Sequence, residues 1–352
     1  MRARHACNET RVAPHGQLKL QRFKITLAYD GTGLVGWQRQ ASGTSIQGLL
    51  ESALRHLDRR DVIVTGAGRT DAGVHALGQV ASFSLDRAIT CDRLVRALNA
   101  QLPGFVRVLV ADLAADTFHA RFDARIKTYS YRIWNADVIS PFERHYAWHL
   151  RGALDRYRMA VAARLVEGRH DFAAFRAAGG PTRSTERVVL SSRVHGRPEG
   201  LHDNRSDGGP EGSHDSFGVN GRPTSVQESC RAGLPPSHAS ADRRSLGGVP
   251  NAAPALGGLG GVPNAAPALG GLGGRQACDP ALIVYHISGS GFLRHMVRNV
   301  VGSLVEIGRG RRSIEWMREV LATRDRAQAG PTAPPEGLVL VAVEYDDIKS
   351  QL

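Results

Sequence analysis

The run Gly66-Ala67-Gly68-Arg69-Thr70-Asp71-Ala72-Gly73 gathers the residue types that could do chemistry. Its glycines permit tight turning, and Arg69 and Asp71 carry the charge. Three uses are open to such a loop. A phosphate cradle needs Gly-x-Gly-x-x-Gly or an ending in Gly-Lys-Ser/Thr. Here the sixth position is Asp71, and no Gly-Lys-Ser/Thr occurs anywhere in the chain. A carboxylate at that place repels pyrophosphate, which disfavours a nucleotide-dependent enzyme. A turn-capping aspartate, bonded to its own backbone, is the commonest use of Asp in a loop. A carboxylate nucleophile is the third use: it needs no deprotonation at neutral pH and leaves readily in a second step. It must stay ionised, so a nearby cation is expected. Spacing alone favours the turn over the nucleophile.

Other candidates carry less. His75 and His295 have no carboxylate or Cys partner at ligand spacing, so no metal is expected. The four cysteines, Cys7, Cys91, Cys230 and Cys278, lie far apart without Cys-x-x-Cys, and read as reduced thiols of a cytoplasmic protein.

The elements that must position these residues follow from periodicity. Phe23, Ile25, Leu27 and Tyr29 alternate with polar or small residues, a strand leading toward the loop. Thr44-x-x-Gln47 fits a capping box opening a helix with the stripe Ile46, Leu49, Leu50, Ala53, Leu54 and Leu57. Val62–Thr65 and Gln79–Leu85 predict strands on either side of the Asp71 loop. A helix around Leu94, Val95, Leu98 and Leu102 stops at Pro103, and Phe105–Ala111 predicts another strand. A second unit begins with a strand at Lys127–Trp134, where Tyr129, Tyr131 and Ile133 share a face. A helix over Met159–Val166 and a strand at Arg187–Val194 follow, and Ala281–Ile287 resumes as a strand. Next comes the strongest helical stripe: Leu293, Met296, Val297, Val300, Val301, Leu304 and Val305, with Arg294 and Arg298 one turn apart on another face. The last strand runs over Leu338–Tyr345. The pattern predicts an α+β fold with mainly antiparallel sheets flanked by helices.

The domain plan is a disordered leader (1–21), an N-terminal α/β domain carrying Asp71 (22–113), a C-terminal α/β domain (114–347) and a short tail (348–352). Residues 197–275 interrupt the second domain. They hold 17 of the 40 glycines and nine of the 17 prolines, including a perfect tandem 13-residue repeat at Leu246–Gly258 and Leu259–Gly271. So few aromatic residues cannot build a core, and the segment reads as a flexible loop replacing a hairpin turn. It contains seven Arg and seven acidic residues, so the formal net charge of +12 belongs wholly to the other 273 residues. Such a surplus of cations fits a polyanionic partner, and 41 of the 45 basic residues are Arg, whose planar fork matches phosphate oxygens. No apolar run approaches the roughly 20 residues of a membrane span, so no membrane partner is expected.

The chain resembles the TruA family of tRNA pseudouridine synthases. The matching stretches, in order, are Tyr29-Asp-Gly-Thr-Gly33 with Gly36-Trp-Gln-Arg-Gln40, Gly68-Arg-Thr-Asp-Ala-Gly-Val-His75, Asn99-Ala-Gln-Leu-Pro103, Phe118-His-Ala-Arg-Phe122 and Asp171-Phe-x-x-Phe-Arg176. His295-Met-Val-Arg-Asn-Val-Val-Gly-Ser303 and Glu336-Gly-Leu-x-Leu340 complete the set.

The resemblance implies two ferredoxin-like or RNA-recognition-motif halves with the active site in a basic cleft between them. It also implies a homodimer, and conversion of uridine to pseudouridine at positions 38, 39 and 40 of the tRNA anticodon stem-loop. The reaction needs no cofactor. Asp71 would be the nucleophile, attacking either the ribose or the uracil ring, with Arg298 as its ion-pair partner. Arg69 would help displace the base or contact phosphate, and Tyr129 would stack on the target base. Phe118, His119, Arg121, Phe122 and Arg183 would contact tRNA. From another class stands a non-catalytic RNA-binding protein on the same sheet. A pure binder has no use for a carboxylate beside bound phosphates.

Overall fold

The alternation of Phe23, Ile25, Leu27 and Tyr29 becomes strand β1 (Gln21–Tyr29), with those four side chains buried. Gln21, assigned to the leader by sequence, is already its first residue and pairs with Leu85. The structure, a computed structural model, describes residues 20–179, 184–195 and 280–346. Arg183 and the 197–275 segment lie outside the described residues.

Helix α1 (Ile46–Asp58) buries Ile46, Leu50, Ala53 and Leu54. Its cap is Ser45 rather than Thr44: the Ser45 backbone is extended, and its hydroxyl accepts from Gly48 N at 3.2 Å. Gln47 therefore does not close a capping box, and instead donates to Glu51 Oε1 and to the Val64 carbonyl. A short-chain cap of this kind contributes about 1 kcal/mol. Val62 and Val64 are buried as expected, but the ladder there shrinks to β2 (Thr65–Gly66). Strand β3 (His75–Leu85) starts four residues earlier than the sequence pattern predicts, reaching back to the Asp71 loop. Helix α2 (Cys91–Gln101) buries Cys91, Leu94 and Leu98, and strand β4 (Val106–Leu113) returns beside β1.

The second group of elements comprises β5 (Ala124–Asn135), β6 (Trp148–Leu150), α3 (Arg156–Arg164), β7 (Gly168–Asp171) and β8 (Glu186–His195). It continues with β9 (Leu282–Gly289), α4 (Met296–Gly308), α5 (Trp316–Thr323) and β10 (Leu338–Tyr345). The short strands β6 and β7 and the helix α5 have no counterpart in the sequence reading. β8 and β9 pair antiparallel, with His195 opposite Val284, as the sequence reading of one interrupted hairpin requires.

All strands join one sheet in the order β4-β1-β3-β10-β5-β9-β8-β7, with β2 on β3 and β6 on β5. Every pairing is antiparallel except β10 with β3 and β5 with β6. The fold is thus mixed α and β, with a mostly antiparallel sheet and flanking helices. Parallel pairing of β10 with β3 covers only Val339 opposite His75 and Leu340 opposite Ala76. Those two pairs lie immediately after the Asp71 loop, where strands of the first and second groups meet. One large apolar core runs through both groups, from Phe23 and Leu50 to Tyr285 and Val301. A smaller cluster joins Ala67, Val80, Phe118 and Ala120. None of the helices among the described residues is long and apolar enough to cross a membrane.

Candidate active site

The Asp71 loop is fixed link by link from the sheet beneath it. Lys127 donates from Nζ to the Ala67 carbonyl at 2.7 Å. Gln79, fully buried in β3, donates to the Gly68 carbonyl at 2.9 Å and also faces the Tyr29 hydroxyl. That hydroxyl shares a 2.9 Å hydrogen bond with Thr70 Oγ1. Burial is the main reason the Tyr29 pKa rises to about 12, so the phenol stays protonated in this network. Trp37 N donates to the Thr70 carbonyl, and Val74 N to the Asp71 carbonyl. Gly36 allows this approach: it has φ +98°, and a Cβ there would meet Thr70 O at 2.5 Å. The motif containing Gly36 and Trp37 is therefore the backing of the Asp71 loop, and a larger residue would push that loop away.

Asp71 itself is partly exposed, with its side chain 30% accessible. Arg298, in the first turn of α4, places Nη1 3.2 Å from Asp71 Oδ2. The guanidinium is braced by a second bond, Nε to the Ala333 carbonyl at 2.6 Å. The cation required by a carboxylate nucleophile is thus present and oriented. The same carboxylate oxygen has a further neighbour, His295 Nε2 at 3.4 Å. Burial lowers the His295 pKa from its ordinary value; Asp71 opposes this, and Arg298, Arg294 and Arg326 reinforce it. His295 precedes α4 with a left-handed backbone (φ 60°, ψ 3°) and makes no side-chain capping bond. That conformation costs a β-carbon residue about 1 kcal/mol. It also places Arg294 outside the helix, so Arg294 and Arg298 do not share a helical face as the sequence stripe predicts. Arg294 instead lies near the Ala178 carbonyl.

Tyr129 is buried on β5, with its ring edge-on to Phe292 at 5.2 Å. Burial first, then the charges of Tyr29 and Asp71, push its hydroxyl above the ordinary tyrosine range, which places it within the field of the carboxylate. Arg69 is exposed. Phe118 is buried against Tyr345, ring centroids 5.2 Å apart, and acts in the small core rather than on the surface. Phe122 is 72% exposed, with the His119 ring stacked on it at 4.2 Å and the Arg121 guanidinium 5.7 Å from its centre. Phe122 is thus an exposed aromatic flanked by a cationic and an imidazole group.

The structure therefore brings Asp71, Arg298 and Tyr129 together, leaves Arg69, His119, Arg121 and Phe122 outward, and buries Phe118. His295, Gln79 and Lys127 were not predicted to serve the site. One signal was available for His295, its place three residues before Arg298. Gln79 is similarly marked as the amide in an otherwise small or apolar stretch of β3. A further link across the two groups of elements is Tyr146, whose hydroxyl donates to Asp30 Oδ2 at 2.7 Å, while Asp30 Oδ1 lies 3.1 Å from His75 Nδ1.

Asp71, on a loop held by the sheet, is thus paired with the Arg298 guanidinium, whose side chain is 12% accessible, and lies near enough to the buried Tyr129 to act on its hydroxyl. A family model for tRNA pseudouridine synthase matches residues 25–123 and 162–346, so the chain belongs to that family of isomerases. Among its relatives is a tRNA pseudouridine synthase A of Myxococcus xanthus, 37% identical over 328 residues, which span 93% of each chain. Another of the same name, from Solibacter usitatus, is 34% identical over 93% of this chain and 100% of its own. A third, from Moorella thermoacetica, is 37% identical over 92% of this chain and 99% of its own.

Proposed function

We propose that this chain converts uridine to pseudouridine in tRNA, with Asp71 as the nucleophile that forms a covalent adduct with the target nucleoside. The observation that carries this reading is the ion pair of Asp71 with Arg298, two residues from opposite ends of the sequence held together beside a buried tyrosine. The chemistry balances within the substrate. The N1–C1′ bond breaks, the uracil turns while Asp71 keeps the fragments in place, and a C5–C1′ bond forms. C5 gives up its proton and N1 takes one, so no atom or electron need come from a cofactor. Tyr129 stacks on the target base, a role supported by its burial on β5 with the charge of Asp71 near enough to act on its hydroxyl. Arg69, exposed on the same loop, displaces the base or meets phosphate, and His119, Arg121 and Phe122 form an outer contact with the RNA. Arg183 belongs to the same reading on resemblance alone, as does Phe118, whose buried ring would then support that contact from below.

Further parts of the reading concern the whole enzyme. Elements β1-α1-β2-β3-α2-β4 run with sheet order 4-1-3-2, and β5-α3-β8-β9-α4-β10 repeat that order. This supports two ferredoxin-like halves, 22–113 and 114–347, with the site where they meet. We read the substrate region as the anticodon stem-loop, positions 38 to 40, approached by a cytoplasmic homodimer. Asp71→Asn is the direct test: pseudouridine formation is lost while tRNA binding is retained, and undiminished activity overturns the assignment. Mapping pseudouridine in tRNA from cells lacking the protein tests the positions, and the mass in solution tests the dimer.

A further inference from the structure

We infer that His295 is a positioning residue for Asp71: with Arg298 it fixes Oδ2, so that Oδ1 is left as the attacking atom. The inference rests on the proposed role of Asp71 and extends it to a residue with no assigned part.

Arg298 cannot orient the carboxylate alone. Its Nε is committed to the Ala333 carbonyl at 2.6 Å, so Asp71 receives one donor, Nη1 at 3.2 Å, rather than the two-pronged grip available to a guanidinium. A carboxylate held at one point still turns about its Cβ–Cγ bond, a broad torsion. His295 Nε2, 3.4 Å from the same Oδ2, supplies the second point. Among the described residues both partners address Oδ2, and no hydrogen bond or ion pair reaches Oδ1. The His295 contact is a 3.4 Å approach without hydrogen-bond alignment in this structure, and catalytic contacts commonly tighten into alignment only when substrate closes the site.

The backbone gives an independent indication. Three non-glycine residues among those described have positive φ: Arg59, Arg324 and His295. The first two follow the C-terminal ends of α1 and α5, where a left-handed residue is ordinary. His295 stands at the opposite end of a helix, where an extended residue with a capping side chain is usual. Its imidazole caps nothing and turns to Asp71. Such a conformation persists only where the surroundings impose it. Here Met296 N donates to the Leu293 carbonyl, Asn299 N to that of His295 and Ala177 N to that of Arg294. Burial first, and then the neighbouring cations Arg298, Arg294 and Arg326, disfavour a charged imidazole against the opposing pull of Asp71. His295 therefore offers direction, as a neutral N–H donor, without adding positive charge to the nucleophile.

The test uses the full-length enzyme and tRNA tritiated at uridine C5, whose label is released as the C5–C1′ bond forms. His295→Gly keeps the backbone conformation and removes the donor. It is expected to lower kcat about tenfold or more, with KM for tRNA within about twofold and Tm not reduced. His295→Gln and His295→Met are of similar length and equally strained, and differ in the donor. Gln is expected to recover most of the loss and Met none, a comparison that stands even where Gly alters Tm. Unchanged kcat in the Gly variant, a loss confined to KM, or Gln no better than Met overturns the inference. Asp71→Asn run alongside separates the two claims. If it is inactive, these outcomes concern His295 alone; if it is active, the nucleophile assignment itself fails.

Discussion

Lys127 reaches from β5 to the Ala67 carbonyl, with the cations Arg121 and Arg187 near enough to disfavour its charge. Burial first, then those two arginines, lower its ammonium pKa from 10.5 to about 8. The folded-state value lies below the unfolded one, so below pH 8 both states hold the proton and the burial cost is constant. Between pH 8 and 10.5 the unfolded chain binds the extra proton, and stability rises with pH through that window. The gain is on the order of 3 kcal/mol. Wild type should therefore gain stability on Lys127→Met as pH rises from 8 toward 10.5, read from chemical denaturation of both proteins. Taking the difference cancels the buried tyrosines, which act in the opposite sense at the top of that range. A difference that stays flat across the window means the lysine is not held as described. The same residue shows why parts of the site escaped the sequence: Lys127 is one basic residue among many, and only the fold brings it to the loop.

At the level of elements, the close contact between α4 and the segment 330–333 sets where Arg298 points. Arg298 gives its Nε to the Ala333 carbonyl and takes the Ala333 amide on its own carbonyl. One turn along the helix, a Cβ on Gly302 would come 1.6 Å from the Pro331 carbonyl oxygen, a clash with backbone that no rotamer relieves. Gly302→Ala, usually favourable in a helix, is therefore expected to lower stability by roughly 3 kcal/mol. It should also depress kcat more than KM, because the displaced segment carries the brace of Arg298. Thermal unfolding and steady-state kinetics together check this, and a variant as stable and active as wild type contradicts the packing argument. Where the sequence was legible, period and length explain it. The stripe from Met296 to Val305 and the apolar run that begins at Leu338 predict α4 and β10 because each element is long enough to show its pattern. The two- to four-residue strands β2, β6 and β7 show too few repeats for a period, and a cap moved from Thr44 to Ser45 because adjacent hydroxyls differ only in backbone angle. Asp71 and Arg298 lie 227 residues apart, so no local pattern joins them; only the family resemblance suggested their pairing.

On the scale of the whole molecule, the site depends on the two groups of strands meeting at the short β3–β10 pairing, whereas β8 and β9, the strands before and after residues 197–275 in sequence, lie beyond β5 in the sheet order. Those two strands pair antiparallel from Val189–Gly289 to His195–Val284. The fold therefore asks only that the connection close a hairpin. Loop closure entropy grows logarithmically with length, so shortening this connection changes stability little. Charge gives a second reason. Seven arginines and seven acidic residues leave the segment neutral, so the surplus of +12 that attracts RNA remains after its removal. Replacing residues 197–275 with a short Gly-Ser turn should leave Tm within a few degrees and kcat/KM for tRNA within about twofold. The dependence of tRNA affinity on salt should keep its slope, since that slope counts the phosphates neutralised. A shallower slope would assign phosphate contacts to the arginines of the segment, and loss of folding would make it part of the structure rather than a passenger in a hairpin.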